Sequence, residues 1–445
     1  MSEPGTDLEF SAREVVRTLQ QNGFAAMYAG GCVRDMLRGV EPKDYDIATS
    51  ALPEQVEKLF QRTVGVGKQF GVIIVRNGSH DFEVATFRED KGYTDGRRPD
   101  QVAFTDARND ARRRDFTINA MFYDPVADHT YDYTGGQKDL TRELIRCVGS
   151  PGERFSEDHL RMMRAVRFAG SLGFRIEQET SNAIREHARL ITRVSPERIG
   201  QELTRMLLES EKAGQSIVQM QNLGLLEAIL PEVSATIGQE QPPQFHPEGD
   251  VFTHTVIMLD MMETSSPVLA YSALLHDIGK PGTARQGPDR IRFDGHAGLS
   301  GEMAEKILRR LKFSTETIEN VSRCIRNHMR FMDVPRMKRS TLRRMTGSPV
   351  YREELELHRL DCLASHGDLK NYHYLKDFEK TLESEPSLPD PWVTGHDIMA
   401  QGIPEGPSVG YWRSMAYEAQ LEGKFSNRRD LLEWLRHKIN TDPGR

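Results

Sequence analysis

Short apolar runs separated by glycine turns characterise the first 140 residues. Val15, Val16 and Leu19 lie at helical spacing and predict a short helix over residues 13–22. The runs FAAMYAGG, DYDIAT, FGVIIV and DFEVATF predict β-strands, while VRDMLRGV and LPEQVEKLF predict helices between them. Short strands and helices mixed in this way predict an N-terminal α/β region with a small sheet.

From Ser156 onwards the hydrophobic pattern is helical. The stretches EDHLRMMRAVRFAGSLGF, SNAIREHARLI, PERIGQELTRMLL and SIVQMQNLGLLEAIL have the periodicity of amphipathic helices. Proline, glycine and glutamine in residues 234–250 predict a linker, after which a second helical region runs to about residue 370. The stretch SEPSLPDPWVTGHD interrupts the helices again, and a short helical tail follows it.

These patterns predict the α+β fold class, with a small mixed sheet at the N-terminus and helices elsewhere. We expect four segments: a head over 1–140, a helical neck and body over 141–233, an all-α domain over 245–370 and a helical tail over 371–445. A chain of 445 residues is too long for one ordinary core, so several domains are expected.

Composition excludes several classes of protein. Hydrophobic residues make up 38% of the chain and no apolar run approaches the length of a membrane span, so we expect no membrane association. The polar, acidic N-terminus does not predict a secretory signal. Four scattered cysteines without CxxC spacing predict neither a zinc ribbon nor a disulfide framework, and they favour a reducing cytoplasm.

Charge is unevenly distributed along the chain. The formal net charge is −7, which does not by itself indicate a nucleic-acid-binding protein. Residues 306–344, however, contain 12 Lys and Arg against 3 Asp and Glu. This stretch fits either a surface that follows a phosphate backbone or a set of solvated helix faces, and the sequence does not separate the two.

Two aspartates follow a glycine turn near the N-terminus. Asp44 and Asp46 are two positions apart, so on a strand they would point to the same side. Like charges that close repel unless a cation neutralises them, and Mg²⁺ with oxygen ligands is the natural partner. Glu83, on another predicted strand, is a candidate third carboxylate, and the turn at Gly30 and Gly31 is a candidate triphosphate site. Exposed strand-end acids and an ordinary turn are the simpler interpretations.

The segment RRRDFTINA at 112–120 adds polar candidates. Arg113 and Arg114 could neutralise phosphates through bidentate contacts, although surface charge is the commoner role of an arginine triplet. Asp115 and Asn119 could bind ribose hydroxyls.

A third candidate group recurs every three residues in FSEDHLRMMRAVRF: Asp158, Arg161, Arg164 and Arg167. Apolar residues between them already supply a core side for this helix, so the charged stripe either is solvated or lines a cleft. Together an aspartate and an arginine offer acceptors and donors that match base edges. If the stripe lines a cleft, protein side chains could choose the incoming nucleotide without a nucleic-acid template.

A set of histidines and aspartates lies in the second helical region. One histidine on an apolar helix is usually a core residue, but several ligand-type positions within apolar helices favour a metal site. The candidate ligands are His254, His276, Asp277, His296, His328 and Asp361.

The motifs GGCVRD, DYD, RRDFTINA, EDHLR and SPERIGQEL, in this order, resemble those of class II tRNA nucleotidyltransferases, the CCA-adding enzymes. Bacterial poly(A) polymerases share most of them. The likeness covers about residues 20 to 230. It implies a polymerase-β-like head, a helical neck that reads the base, and a helical body and tail that grip tRNA. ATP, CTP, the tRNA 3′ end and Mg²⁺ are the implied partners and cofactor.

The resemblance also implies a role for particular residues. The matching motif positions imply that Gly31 and Arg34 contact the triphosphate, and that Asp44 and Asp46 hold the metal. They also imply that Arg114 contacts the nucleotide. Asp158 and Arg161 would pair with the base, with Arg164 and Arg167 close by.

The histidine–aspartate set resembles the HD phosphohydrolase superfamily, whose minimal pattern matches His254, His276, Asp277 and Asp361. The additional His296 and His328 resemble the extra histidines of superfamily members that bind two metals. Mixed imidazole and carboxylate ligands favour Mn²⁺, Ni²⁺, Co²⁺ or Fe. The resemblance implies hydrolysis of phosphoesters, including 2′,3′-cyclic phosphates, which would free a blocked tRNA 3′ end for extension.

Alternatives remain open at this point. An uninterrupted segment over residues 86–117 favours an enzyme able to add the terminal A, but does not separate full CCA addition from A-only addition. A poly(A) polymerase is a further alternative. A phosphohydrolase whose N-terminal half merely binds RNA is an alternative of a different class.

Overall fold

The computed structural model describes residues 7–91, 101–263, 266–382 and 385–441. Two compact units divide the chain. The first contains Met1–Ala235 and Arg309–Phe313, and the second contains Thr236–Leu308 and Ser314–Arg445. Part of the segment expected to favour addition of the terminal A, residues 92–100, lies outside the described residues.

The N-terminal part of the first unit combines short helices with strands. Its helices are α1 (Asp7–Gln21), α2 (Gly31–Leu37), α3 (Pro53–Leu59), α4 (Ala107–Arg112) and α5 (Gly136–Thr141), with 3-10 turns at Lys68–Phe70 and Thr117–Asn119. Its strands are β1 (Ala26–Ala29), β2 (Ile47–Thr49), β3 (Thr63–Gly67), β4 (Val72–Asn77), β5 (His80–Thr86), β6 (Arg88–Lys91), β7 (Gln101–Phe104), β8 (Met121–Asp124) and β9 (His129–Asp132).

A mixed sheet of seven strands, in the order β3-β4-β5-β2-β1-β8-β9, forms the framework of the head. Strands β2 and β5 run parallel with Ile47 opposite Val84, and the other neighbouring pairs run antiparallel. Val15, Val16 and Leu19 of α1 are fully buried in the same apolar cluster as Ile47 and Val84. The sheet therefore fixes the chain at the starts of β2 and α2, where the candidate chemistry lies.

A helical region completes the first unit. Its elements are β10 (Leu144–Ile145), α6 (Pro151–Glu157), α7 (Arg161–Leu172), β11 (Arg175–Ile176), α8 (Gln178–His187), a 3-10 segment at Ala188–Arg193, α9 (Pro196–Glu209), α10 (Ala213–Asn222), α11 (Leu225–Ile229) and α12 (Pro231–Ser234). Met162, Met163 and Val166 of α7 are fully buried, as their helical spacing predicts. Gly200 allows close packing, because a Cβ there would lie 3.0 Å from the Leu311 carbonyl oxygen.

The second unit is almost entirely helical. Its elements are α13 (Val251–Asp260), α14 (Pro267–Leu275), α15 (Lys280–Thr283), β12 (Arg285–Gln286), β13 (Ile291–Arg292), α16 (His296–Arg310), α17 (Thr315–Asn327), a 3-10 segment at His328–Arg336, α18 (Arg339–Thr346), α19 (Tyr351–Ala364), α20 (Lys370–Lys380), α21 (Gly395–Met399), α22 (Pro407–Leu421) and α23 (Arg428–Thr441). Helix α14 is apolar on every side, and its seven C-terminal residues are all buried, so it lies at the centre of this unit.

Three local features differ from the predictions. Helix α1 begins at Asp7 rather than near residue 13. Strand β2 contains only Ile47–Thr49, so the two aspartates precede it. The region expected to be all-α also contains the short β12–β13 ladder, where Arg285 pairs with Arg292.

Candidate active sites

The carboxylates of the head converge at the start of strand β2. Asp44 and Asp46 are exposed and flank Tyr45, which is buried, so the segment alternates as an extended chain does. The Asp46 carbonyl accepts a hydrogen bond from the Ala29 amide at 2.9 Å, which ties this segment to β1. Because Ile47 lies opposite Val84, the preceding Asp46 lies beside Glu83 on the adjacent parallel strand.

The electrostatic environment of Asp46 favours a cation. Protein packed around its carboxylate, together with the nearby charges of Asp44 and Glu83, raises its pKa to about 6, although the residue keeps solvent access. Arg114 acts in the opposite direction and lowers this pKa. Within the described ranges, the three carboxylates do not form a group whose oxygens all lie within 4.8 Å. Their mutual repulsion is what a divalent cation would neutralise.

Arg114 is fixed against the glycine turn. Its Nε and Nη2 atoms donate to Asp110 at 3.2 and 3.1 Å, and its Nη1 donates to the Asn119 carbonyl at 3.1 Å. Gly30 has φ +79°, and a Cβ on it would lie 3.1 Å from Arg114 Nη1 and 4.0 Å from an Asp46 carboxylate oxygen. The turn therefore brings a guanidinium and a carboxylate together at the start of α2.

Asp110 is an important residue that no sequence motif reveals. It is 1% exposed, and its Oδ1 also lies 2.8 Å from Arg113 Nη2. Burial alone would raise its pKa, but the guanidinium groups of Arg114 and Arg113 outweigh burial and lower it. Arg34 is held in a similar way, since it forms two 2.9 Å hydrogen bonds to Asp35 and donates to Asn119 Oδ1 at 2.9 Å.

The candidate residues of the neck are held by ion pairs with oppositely charged neighbours. Arg164 lies 2.6 Å from Asp115, and the same pairing lowers the pKa of this buried carboxyl, although burial alone would raise it. Asp158 lies 2.6 Å from Arg198. Arg161 pairs with Glu157, and its Nη2 also donates to the Arg113 carbonyl at 3.3 Å, which brings the two arginine-rich segments together.

Arg167, a predicted nucleotide-binding residue, is buried and paired with two acids. Its side chain is 4% exposed and its Nε lies 2.5 Å from Glu202. A second contact of 3.1 Å joins it to Glu209. Arg167 follows Arg161 by six residues, and at about 3.6 residues per turn the two side chains point about 120° apart around the helix axis. Arg167 and Arg161 therefore face different sides of α7. The structure thus directs Arg167 towards Glu202 and Glu209, and its guanidinium lies 4.2 Å from the centre of the Phe168 ring, which the Arg164 guanidinium also approaches at 5.2 Å.

The second unit contains a compact histidine–aspartate cluster centred on Asp277. One carboxylate oxygen lies 3.1 Å from His276 Nε2, and the other lies 3.4 Å from His296 Nε2 and 3.9 Å from His328 Nε2. His254 Nε2 lies 3.1 Å from Asp361 Oδ1 on α19. Groups of ligand atoms within 4.8 Å join His254, His276 and Asp277, and separately Asp277, His296 and His328.

The imidazole rings are oriented with their Nε2 atoms towards this cluster. In three of them the Nδ1 atom lies close to a backbone carbonyl three residues earlier: 3.0 Å for His276, 2.8 Å for His296 and 2.6 Å for His328. Since a carbonyl only accepts, each Nδ1 carries the proton and each Nε2 offers a lone pair. Burial and the nearby His276 also lower the pKa of His328 to about 4, which keeps that ring neutral.

This cluster fits a metal ion. Among the described residues, buried polar atoms without a hydrogen-bond partner include His254 Nε2, His276 Nε2 and Asp277 Oδ1. Such atoms are costly to bury unless something coordinates them. Neutral imidazoles with carboxylates suit transition metals better than Mg²⁺.

Further side chains contact the cluster. Lys280 is buried, and its Nζ lies 2.6 Å from Asp277 Oδ2 and 2.6 Å from Gln241 Oε1. Glu248 Oε1 lies 2.6 Å from His254 Nδ1 and 2.9 Å from His246 Nδ1. Gln241, His246 and Glu248 belong to the segment 234–250 that the sequence predicts as a linker. No metal motif in the sequence contains them.

Several arginines of the basic stretch at 306–344 are already paired. Arg326 lies 2.9 Å from Glu305, Arg344 lies 2.5 Å from Glu418 and the buried Arg343 lies 3.1 Å from Glu385. At least part of this stretch therefore stabilises the fold instead of presenting free charge. No helix among the described residues combines the length and apolar character needed to cross a membrane.

Three family models match the chain. The poly(A) polymerase head domain matches residues 26–146, a probable RNA and SrmB binding site of polymerase A matches 173–237, and the HD domain matches 251–365. A CCA-adding enzyme of Bacillus subtilis is 32% identical over 431 residues, which cover 96% of this chain and 97% of that protein. This chain belongs to the family of CCA-adding enzymes.

Other CCA-adding enzymes resemble it over different spans. That of Enterococcus faecalis is 46% identical over 204 residues, or 46% of this chain and about half, 50%, of that protein's length. The structure of the Bacillus stearothermophilus CCA-adding enzyme in complex with CTP matches with a TM-score of 0.76 and 25% identity, covering 99% of both chains. The predicted family and the α+β fold, with a polymerase head and an HD domain, are therefore confirmed.

Proposed function

We propose that this protein is a template-independent tRNA nucleotidyltransferase that adds or repairs the 3′-terminal CCA with CTP and ATP. The observation that carries the proposal is the carboxylate cluster at the start of β2, beside the Gly30 turn and Arg114. Membership of the CCA-adding family and a full-length relative of that name support the same activity. The four cysteines are all buried and free, which fits the cytoplasm.

The chain's own residues bind and orient the substrates. Mg²⁺ held by Asp44 and Asp46 would neutralise the triphosphate and polarise the attacking hydroxyl, with Glu83 beside it. The 3′-hydroxyl oxygen of the tRNA attacks the α-phosphorus of the nucleotide, the bond to the bridging oxygen breaks, and pyrophosphate leaves. Arg114, which Asp110 holds at the glycine turn, stabilises negative charge on the phosphates.

Selection of the base falls to the neck. Asp158 and Arg161 offer an acceptor and a donor set, and their partners Arg198 and Glu157 hold them in place. A side chain fixed by an ion pair loses little freedom on binding, so it can act as a template for one base edge. Arg164, paired with Asp115, completes this polar surface, whereas Arg167 stabilises the helical core.

A primer series tests the activity directly. We expect tRNA transcripts that end at the discriminator base, at C and at CC to be extended to CCA when CTP and ATP are supplied together. With CTP alone the first two should stop at CC, and with ATP alone only the third should gain a residue. Extension of the CC transcript alone would identify an A-adding enzyme, and long A tails would identify a poly(A) polymerase; either result would contradict the proposal.

Replacement of Gly30 by alanine should reduce nucleotide addition. The added Cβ meets Arg114 Nη1 at 3.1 Å, and the backbone conformation at φ +79° and ψ −128° strains any residue other than glycine by about 1–3 kcal/mol. Arg114 must give way by a few tenths of an ångström. Because a misplacement of about 1 Å costs about 100-fold in rate, we expect this smaller shift to lower kcat by roughly 10-fold. Steady-state kinetics with a CC-ending tRNA and ATP measure it.

Gly39→Ala is the matched control for Gly30→Ala. Gly39 also has a positive φ of +72°, but a Cβ there meets nothing within 4 Å. The Gly39→Ala substitution should lower the melting temperature and leave kcat within about twofold of the wild-type value, because it adds only backbone strain. Equal kinetic losses in the two variants would show that the contact with Arg114 does not matter.

A second activity, hydrolysis of phosphoesters, is favoured by the unpartnered Nε2 atoms around Asp277. We propose that His254, His276, Asp277 and Asp361 hold one transition metal, and that His296 and His328 share Asp277 with a second. Metal bound there would supply a polarised water for attack on phosphorus. A tRNA end blocked by a 2′,3′-cyclic phosphate would then regain the free hydroxyl that the transferase requires.

A further inference from the structure

The segment that precedes α13 is folded against the HD cluster and is not a free linker. Asp250 begins α13 and accepts hydrogen bonds from the amides of Thr253 at 2.8 Å and Gly238 at 2.6 Å. The Val251 amide donates to the Gln239 carbonyl at 3.2 Å. Gln241 is 5% exposed. Both ends of the segment are therefore tied to the helix that carries His254.

Glu248 is the residue of this segment that touches a candidate ligand. Its side chain is 7% exposed, and Oε1 lies 2.6 Å from Nδ1 of His254, which is fully buried. The same oxygen lies 2.9 Å from His246 Nδ1. A carboxylate accepts and the imidazole Nδ1–H donates, so Glu248 holds a proton on Nδ1 and leaves Nε2, which is directed at Asp361, as the atom available to a metal.

His254 therefore differs from the other histidines of the cluster. His276, His296 and His328 direct Nδ1 at backbone carbonyls, whereas His254 directs Nδ1 at a carboxylate. A buried carboxylate is the stronger acceptor, and in this position it both fixes the ring and raises its basicity as a ligand.

We propose that Glu248 is a positioning residue of the HD metal site, which it serves by holding the His254 imidazole for coordination through Nε2. The inference rests on the proposed phosphohydrolase function, because that function gives the cluster its metal. A third metal between His246, Glu248 and His254 is the competing explanation, since their ligand atoms also lie within 4.8 Å. Separations of 2.6 and 2.9 Å are those of charge-assisted hydrogen bonds, so we favour the hydrogen-bonded arrangement.

The test measures metal binding by the full-length protein. After removal of metal with a chelator, Mn²⁺ is titrated into the wild type, Glu248→Gln and Glu248→Ala by isothermal calorimetry. We expect the Kd to rise about 10-fold for glutamine, which still accepts a hydrogen bond but lacks the charge, and about 100-fold for alanine. Glu305→Gln is the control, because Glu305 pairs with Arg326 at 2.9 Å in the same unit and should leave the Kd unchanged.

The outcomes separate this inference from the proposed function. If the wild type binds Mn²⁺ and Glu248→Gln binds it equally well, Glu248 does not position the ligand and the inference is wrong, while the HD function stands. If the wild type binds no Mn²⁺, both are wrong. Loss of one whole equivalent of Mn²⁺ in Glu248→Gln, with the remaining affinity unchanged, would establish the third metal instead. Saturating Mn²⁺ should restore hydrolysis to Glu248→Gln, which a collapsed fold would not allow.

Discussion

Asp46→Asn is expected to abolish nucleotide incorporation without unfolding the protein. The substitution keeps the shape of the side chain but removes the charge that would hold the catalytic cation. Charge stabilisation by a metal contributes several kcal/mol to phosphoryl transfer, and each 1.36 kcal/mol is tenfold in rate, so we expect a loss of about 1,000-fold or more. Incorporation of labelled ATP into a CC-ending tRNA measures it.

The same variant should be more stable than the wild type when no divalent cation is present. The pKa of Asp46 is raised to about 6 from an ordinary value of 3.8, so its ionised form is disfavoured by folding. The protonated form stabilises the folded protein relative to the ionised form, so the free energy of unfolding falls as the pH rises from 3.8 to about 6. Above about pH 6 the folded protein carries the whole cost of the ionised carboxylate. Removing the charge should then stabilise by about 1 kcal/mol after allowance for solvent screening, with no difference near pH 3.

Asp81→Asn is the control for this experiment. Asp81 lies on β5, the strand that carries Glu83, and forms an exposed ion pair with Arg76 at 2.6 Å. An exposed pair contributes about 0–1 kcal/mol, so this variant should lose little stability and no activity. If Asp46→Asn retained incorporation, or if Asp81→Asn lost it as well, the assignment of the carboxylate cluster would be wrong.

The sequence predicted those residues whose chemistry is unusual for their surroundings. Asp44 and Asp46 repel each other beside a glycine turn, and His276 and Asp277 follow the apolar helix α14, so each pair is costly without a function. Helical and alternating periodicity likewise predicted strands β1, β4 and β5 and the helices around them. Such signals are local in the chain, which is why a single sequence reveals them.

The residues that the sequence did not reveal act at a distance along the chain. Asp110 holds Arg113 and Arg114, and Glu248 contacts His254, but in the sequence each is one acid among many. Arg167, by contrast, was singled out by the sequence but is buried. Positions three residues apart move gradually around a helix, so Arg167 faces a different side from Arg161 and contacts Glu202. Only the packing of α7 against α9 shows which arginine is internal.

The second large effect concerns the HD cluster. Asp277→Asn should eliminate hydrolysis of 2′,3′-cyclic phosphates and p-nitrophenyl phosphate while nucleotide addition stays normal. Asp277 is the carboxylate that two of the ligand groups share, with oxygens 3.1 Å from His276 and 3.4 Å from His296. A neutral amide would bind metal poorly, so we expect a loss of about 1,000-fold, measured with Mn²⁺ or Ni²⁺ supplied.

Asparagine is preferable to alanine at this position. Lys280 is buried 2.6 Å from Asp277, and removal of its partner would leave an ammonium group to be hydrogen-bonded by Gln241 alone, at a cost of about 3–5 kcal/mol. The amide oxygen of asparagine still accepts from Lys280. His276→Ala gives an independent test of the same cluster, and His437→Ala, at an exposed histidine of α23, is the control. Retained hydrolysis in both cluster variants would place the reaction elsewhere, whereas a parallel loss of nucleotide addition would mean that the two activities are not carried by separate sites.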